Sequence, residues 1–258
     1  VSAAAKMDAA SLASRPCFLC AANRPACQLA GNAMGTLELL VNPYPIVPMH
    51  FTLPSRVHTA QVLRPMFADM LHLACQWPGF ALFYNGAKCG ASAPDHAHLQ
   101  AVCCADVPLL TAIADGRIDI GEPLCNNGNA SIHSVKGYVV PFFMITAQSV
   151  SHLVEMFEKL LCAMPSVDGE PEPRMNVLAW HSSSLGYVVI VMPRALHRPA
   201  CYYASGAAQR MVSPGALDMA GLVVTPRECD FNTITADEAA ALLCEVAMLP
   251  GAVEAVEE

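Results

Sequence analysis

The sequence predicts an α+β fold, an antiparallel sheet flanked by helices, with the same plan used twice. Three observations carry this. Short apolar segments bounded by Pro, Gly and Asn recur as strand pairs, at 36–42 with 44–53, around the loop in 80–104, and at 175–180 with 186–192. Longer stretches with apolar residues at helical spacing lie between or after them, at 55–76, 149–164 and 235–248. Two of the strand pairs also end alike, in Pro and a basic residue: Pro48-Met49-His50 running on to Pro54-Ser55-Arg56, and Pro193-Arg194 running on to His197-Arg198-Pro199. The division that follows is an N-terminal half at 1–164, a linker at 165–173 around Asp168-Gly169-Glu170, and a C-terminal half at 174–258.

Taken in order, residues 1–14 are rich in Ala and Ser and read as a frayed tail or a short helix. Cys17-Phe18-Leu19-Cys20 follows on a turn; a C-x-x-C alone reads equally as a metal clip or as two packed thiols. Pro43, Pro45 and Pro48 restrict the strand at 44–53 to an edge or an irregular course. The spacing predicts a helix from Ser55 as N-cap to Gln76, stopped by Trp77-Pro78, with His58 and His72 in solvated or core-edge positions on it. Turn signals at Asp115-Gly116 and Asn126-Asn127-Gly128 mark 105–135 as a hairpin or an excursion, before a strand at 137–147. A loop and strand are expected at 213–224, and Thr235 with Glu238 reads as a capping box for the last helix.

Composition narrows the function. The chain has 258 residues, 54% of them apolar and 14% charged, enough to bury a sizeable core and too apolar for disorder. A net charge of -8 argues against a nucleic-acid binder, because the phosphate backbone rewards basic surfaces. A small phosphorylated ligand needs only a local cluster of donors. No apolar run approaches the ~20 residues that span a bilayer, and no signal-peptide core is present, so no membrane and a cytoplasmic location are expected. Twelve scattered cysteines read, in a reducing compartment, mostly as small buried hydrophobes. An apolar-rich chain with little charge is also compatible with an oligomer.

The chemistry concentrates in residues 83–100. An apolar run ends at Asn85-Gly86, a small-residue loop follows, and His96-Ala97-His98-Leu99-Gln100 leads into Ala101-Val102. On a strand, His96, His98 and Gln100 would share one face, and two imidazoles with an amide beside a Gly/Ser loop suit a bound phosphate.

The arrangement Asn85…Gly90-Ala91-Ser92…His96-Ala97-His98-Leu99-Gln100 resembles the Gly-x-Ser…His-x-His-x-Gln signature of the histidine-triad-like superfamily. The branch concerned holds the galactose-1-phosphate uridylyltransferases, the dinucleoside polyphosphate phosphorylases and the GDP-galactose phosphorylases. Cys17-Phe18-Leu19-Cys20 and Val47-Pro48-Met49-His50 resemble the zinc segments of the uridylyltransferases, and 176–194 with 213–224 resemble the second half of the phosphorylases. The resemblance implies a duplicated histidine-triad-like fold, His98 as nucleophile and Gln100 as its phosphoryl-holding partner. It places Asn85, Gly90 and Ser92 at the phosphate, and Cys17, Cys20, His50 and His96 on a structural zinc. Asp95 is an extra residue relative to the commonest spacing. From charge and local pattern, Lys88, Arg194, His197 and Arg198 are candidates to neutralise the remaining phosphates.

A neutral imidazole, with an ordinary pKa of ~6.5, is a competent nucleophile near pH 7. The expected activity is transfer of a nucleoside monophosphate from an NDP-sugar or dinucleoside polyphosphate to phosphate or a sugar phosphate, through a nucleotidyl-histidine. The rival readings are a hydrolase, with water as acceptor, and a zinc-stabilised nucleotide-binding module without turnover.

Overall fold

In a computed structural model, which describes residues 11 and 14–257, ten strands form one antiparallel sheet. They are β1 (Ala30–Asn32), β2 (Glu38–Val41), β3 (His50–Pro54), β4 (Phe80–Asn85), β5 (His98–Cys103), β6 (Pro123–Asn126), β7 (Ala130–Val135), β8 (Phe142–Ala147), β9 (Met175–Ser182) and β10 (Gly186–Pro193). Across the sheet they run β1-β2-β3-β5-β4-β9-β10-β8-β7-β6. Counted inward from each edge, the first set reads 1-2-3-5-4 and the second 6-7-8-10-9. The two sets share one strand order and meet where Asn85 of β4 lies opposite Asn176 of β9.

Helices repeat the plan. Helix α1 (Phe67–Gln76) connects β3 to β4, and α3 (Val150–Ala163) connects β8 to β9; between them, α2 (Pro108–Ala114) follows β5. Both connecting helices bury a stripe at helical spacing, Phe67, Met70, Leu71 and Ala74 on α1 and Leu153, Met156, Phe157, Leu160 and Leu161 on α3. They cover the same face, where the rings of Phe67 and Phe157 stack 3.9 Å apart. The sheet's other face is covered by α2, α5 (Ala216–Met219) and α7 (Ala236–Val246); the short helices α4 (Ala200–Tyr203) and α6 (Glu228–Thr233) and the final α8 (Pro250–Glu257) complete the chain. Alternate residues of β4 and β9 feed the two layers, Leu82, Tyr84, Val177 and Ala179 into one and Ala81, Phe83 and Leu178 into the other.

Several expectations shift. The second set of strands begins at Pro123, so residues 165–173 lie inside that set, between α3 and β9. By strand order, the hairpin β9–β10 corresponds to β4–β5 and not to the Pro-rich pair at 36–53. Residues 213–224 hold the short helix α5 and no strand. Finally, α1 starts at Phe67, preceded by a turn of 3₁₀ helix with Pro65 in it. Pro65 suits a first helical turn, and residues 55–61 bend at 56–57 and lie beside 94–97, with Ser55 N–H to Ala97 O (2.8 Å), Ala97 N–H to Thr59 O (2.7 Å) and Gln61 N–H to Pro94 O (3.0 Å). Thr235 does cap α7, accepting from Glu238 N–H at 3.2 Å, but the Glu238 carboxylate turns to Arg210 and leaves the capping box half-made.

Candidate active site and metal centre

Strand β5 sets out the centre. Its antiparallel partners on β3 are Pro54 for His98, Thr52 for Gln100 and His50 for Val102, so His98, Gln100, Thr52 and His50 project from one face. His98 is 3% exposed. Its Nδ1 lies 2.8 Å from the His96 carbonyl, which only accepts, so Nδ1 carries the proton and Nε2 keeps its lone pair. Among the described residues, Nε2 has no hydrogen-bond partner. Burial pushes the pKa of His98 down to about 4, which keeps the ring neutral near pH 7.

Gln100 is oriented by His50. The backbone N–H of Ile46 donates to His50 Nδ1 at 3.2 Å, which leaves the proton on Nε2, and Nε2 lies 2.8 Å from Gln100 Oε1. With its oxygen engaged, the Gln100 amide has its NH₂ left to donate. Burial lowers the pKa of His50, which preserves the neutral ring this relay needs. His50 therefore does not join the cysteines, as the resemblance suggested; it belongs to the row on β5 and β3.

The cysteines meet different histidines. Sγ of Cys17 lies 3.2 Å from His96 Nδ1, and Sγ of Cys20 lies 3.2 Å from His58 Nδ1 and 3.6 Å from His96 Nδ1. The four ligand atoms all fall within 4.8 Å of one another. Bond lengths of about 2.0–2.3 Å at tetrahedral angles put ligand atoms roughly 3.5 Å apart, so the donor set fits a metal ion. His96 is aimed by its other nitrogen, Nε2, which donates to the Ser55 carbonyl at 2.7 Å. The expectation that His96 shares a face with His98 fails because His96 precedes β5, in a turn that rotates it toward the cysteines. Asp95 acquires a place here: its carboxylate lies 3.6 Å from His58 Nε2 and is held in turn by Arg15.

Of the other expected phosphate ligands, Ser92 is half-buried, and its carbonyl accepts from Arg15 at 2.9 Å. Lys88 pairs with Glu170 at 2.9 Å. The Asn85 side-chain oxygen accepts from Asn176 Nδ2 and Ala216 N–H, a structural knot between the two sets of strands. Gly90 has a φ of +94°, and a Cβ there would lie 2.6 Å from Gly215 Cα, so close backbone packing requires glycine. Arg194 is 2% exposed and spends its donors on Asn176 Oδ1 and on the carbonyls of Pro214, Val246, Leu196 and His197. Its guanidinium is a buried clamp, not a phosphate ligand. His197 sits at the same turn, its pKa lowered to about 4 by burial and then by Arg198.

Sequence reasoning missed His58, Gln61 and the role of His50. The first two were hidden by the helix expected from Ser55; Pro65 was the available signal that the helix starts later. Gln61 is 1% exposed and sits where β4 and β5 part. A cleft of about 140 Å³ opens beside it, lined by Gly86, Lys88, Cys89 and residues 169–174. The floor of that cleft is anchored by Glu172, which accepts from Tyr84 Oη and from Leu63 N–H.

Residues 1–103 match the model of a family described as a domain of unknown function (DUF4922). No curated protein matches the chain. Among solved structures, a DUF4931 family protein from Bacillus cereus ATCC 10987 is similar at 13% identity and a TM-score of 0.47, covering 66% of this chain and 87% of its own. A GalT-like protein from Arabidopsis thaliana matches at 12% identity and a TM-score of 0.41, covering 90% of this chain and 93% of its own. An ADP-glucose phosphorylase from the same plant, solved with bound ADP-glucose, matches at 12% identity and a TM-score of 0.41, covering 92% and 93%. Among the described residues, no helix is long and apolar enough to cross a membrane.

Proposed function

We propose that the chain is a nucleotidyltransferase or phosphorylase that moves a nucleoside monophosphate from an NDP-sugar or dinucleoside polyphosphate to phosphate or a sugar phosphate, by way of a nucleotidyl-His98. The observation that carries this reading is the pairing of a proton-fixed, neutral His98, its Nε2 free, with a Gln100 amide whose NH₂ is turned outward by His50.

In the first step the Nε2 lone pair attacks the α-phosphorus. The bond from phosphorus to the bridging oxygen breaks, and its electron pair leaves with the sugar phosphate or nucleotide. Nδ1 keeps its proton, which it donates to the His96 carbonyl, and that bond supports the positive charge that develops on the ring. Gln100 donates to a phosphoryl oxygen as charge builds on it. In the second step an oxygen of the acceptor attacks phosphorus from the opposite side, the P–N bond breaks, and Nε2 recovers its lone pair. The base would meet the loop 43–49 beside His50, where Tyr44, Ile46 and Met49 present exposed apolar surface.

Zinc is the metal we assign to Cys17, Cys20, His58 and His96. A site closed by four protein ligands holds structure and leaves no position for substrate. These residues would tie the N-terminal segment to the turn that precedes the nucleophile.

Purified protein offered a panel of NDP-sugars (ADP-glucose among them) and dinucleoside polyphosphates, with and without phosphate, tests the reading. Product that requires phosphate, and that is lost in His98→Ala, supports transfer. Release of mononucleotide at the same rate without phosphate supports hydrolysis instead. Ligand binding with no turnover of any panel member supports a binding module.

A further inference from the structure

The ladder between β4 and β5 ends at Phe83 opposite Gln100. In the same register Asn85 would face His98, yet the strands have parted there, and the backbone groups of both residues need partners. The Gln61 side chain fills the gap. Its Oε1 accepts from His98 N–H at 2.7 Å, and its Nε2 donates to His98 O at 3.0 Å and to Asn85 O at 2.9 Å. One primary amide thus stands in for a peptide unit, satisfying both backbone groups of the nucleophile and bridging to the strand that has moved away.

We infer that Gln61 is a positioning residue for His98: it fixes the backbone of the nucleophile at a splayed strand mouth, so that Nε2 is held at its point of attack. The inference rests on the reading of His98 as nucleophile. Two features give it weight beyond packing. The splay occurs at the one residue of β5 whose imidazole also bonds backward along its own chain, to His96 O; a shift of the His98 Cα therefore turns the ring. Gln61 is also held from behind, by its backbone N–H on Pro94 O at 3.0 Å. It touches no reacting atom in this arrangement; it acts through the placement of His98.

Two variants test it. Gln61→Met keeps length and apolar bulk while removing all three side-chain bonds. It is expected to slow formation of the nucleotidyl-enzyme by about tenfold or more, the scale of one or two lost hydrogen bonds, while KM changes by less than about threefold. In the ligand-free protein, nitrogen-15 NMR of the His98 ring should move from a single Nδ1–H tautomer toward a mixture. Gln61→Glu keeps the acceptor but puts a carboxylate against two carbonyls. That environment raises its pKa, so the variant should regain rate as pH falls and the protonated carboxyl donates again, whereas the wild type does not. Wild-type adduct rate and tautomer in Gln61→Met would overturn the inference. Should that variant not fold, the Gln61→Glu profile decides alone, and a profile parallel to the wild type overturns it. Absence of any adduct in the wild-type protein, or its persistence in His98→Ala, overturns instead the nucleophile reading on which the inference stands.

Discussion

At the scale of single residues, tautomers organise the site. His98 has its proton placed by a carbonyl and His50 has its proton placed by a backbone N–H, which leaves the His98 Nε2 lone pair and the Gln100 NH₂ for the proposed phosphate. Replacing His98 by Ala should cut kcat/KM on the order of a thousandfold or more, measured on whichever donor the panel identifies. His50→Phe retains the ring that packs 5.9 Å from Phe83 but frees the Gln100 amide to flip; a loss of roughly tenfold in kcat is expected, with little change in stability. The pH dependence follows from sign. A pKa of about 4 means that His98 is neutral above that value, so its contribution to the rate stays level from pH 8 to 6 and is lost as pH falls through about 4. A descending limb centred near the ordinary histidine value would point to a different titrating group. His-x-His-x-Gln was legible in sequence because strand alternation sorts residues by parity. His96 broke that parity only because it lies one turn before the strand, and no local signal marks where β5 begins.

At the scale of elements, the non-helical segment 55–61 joins the two centres. It supplies Ser55 O to aim His96, His58 to the cysteine pair and Gln61 to His98. Its helical reading came from apolar spacing that α1 uses only from Phe67 onward, while the first part of the stretch is recruited by long-range pairing with 94–97. Tertiary pairing overrode local periodicity there, as it can wherever a Pro delays a helix. Asp95 explains itself at this level, as the carboxylate behind the most exposed ligand. Asp95→Asn should weaken metal binding by about 10–100-fold, read by chelator competition, and should leave the metal-loaded enzyme's KM unchanged. Stripping the metal should lower the temperature of unfolding, and readdition should restore it.

At the scale of the whole molecule, two sets of strands with one order make a single sheet, and the proposed reaction centre lies in the first set. In the first set, the loop 86–97 separates β4 from β5; in the second, β9 and β10 are joined by the tight turn 183–185 and stay paired to their ends. The second set instead contributes its closing turn as a brace, with Arg194 reaching Asn176 on β9 and the carbonyls of Pro214 and Val246. Arg194→Met would leave several buried acceptors unpaired and should destabilise by ~3 kcal/mol or more in denaturant unfolding, whether or not nucleotide is present. Motif and charge alone placed Arg194 at a phosphate, because sequence does not reveal which face of a turn is covered by residues 213–216 and 246. The repeated strand order was partly legible, as recurring strand pairs, but the turn-rich stretch before Pro123 hid β6, the first strand of the second set. The central claim is tested most directly by incubating the enzyme with a donor in the absence of acceptor, quenching in alkali and mapping the mass of the peptides. One nucleoside-monophosphate adduct per chain, on His98 and discharged on adding phosphate, is expected. No adduct, or an adduct on any other residue, would contradict it.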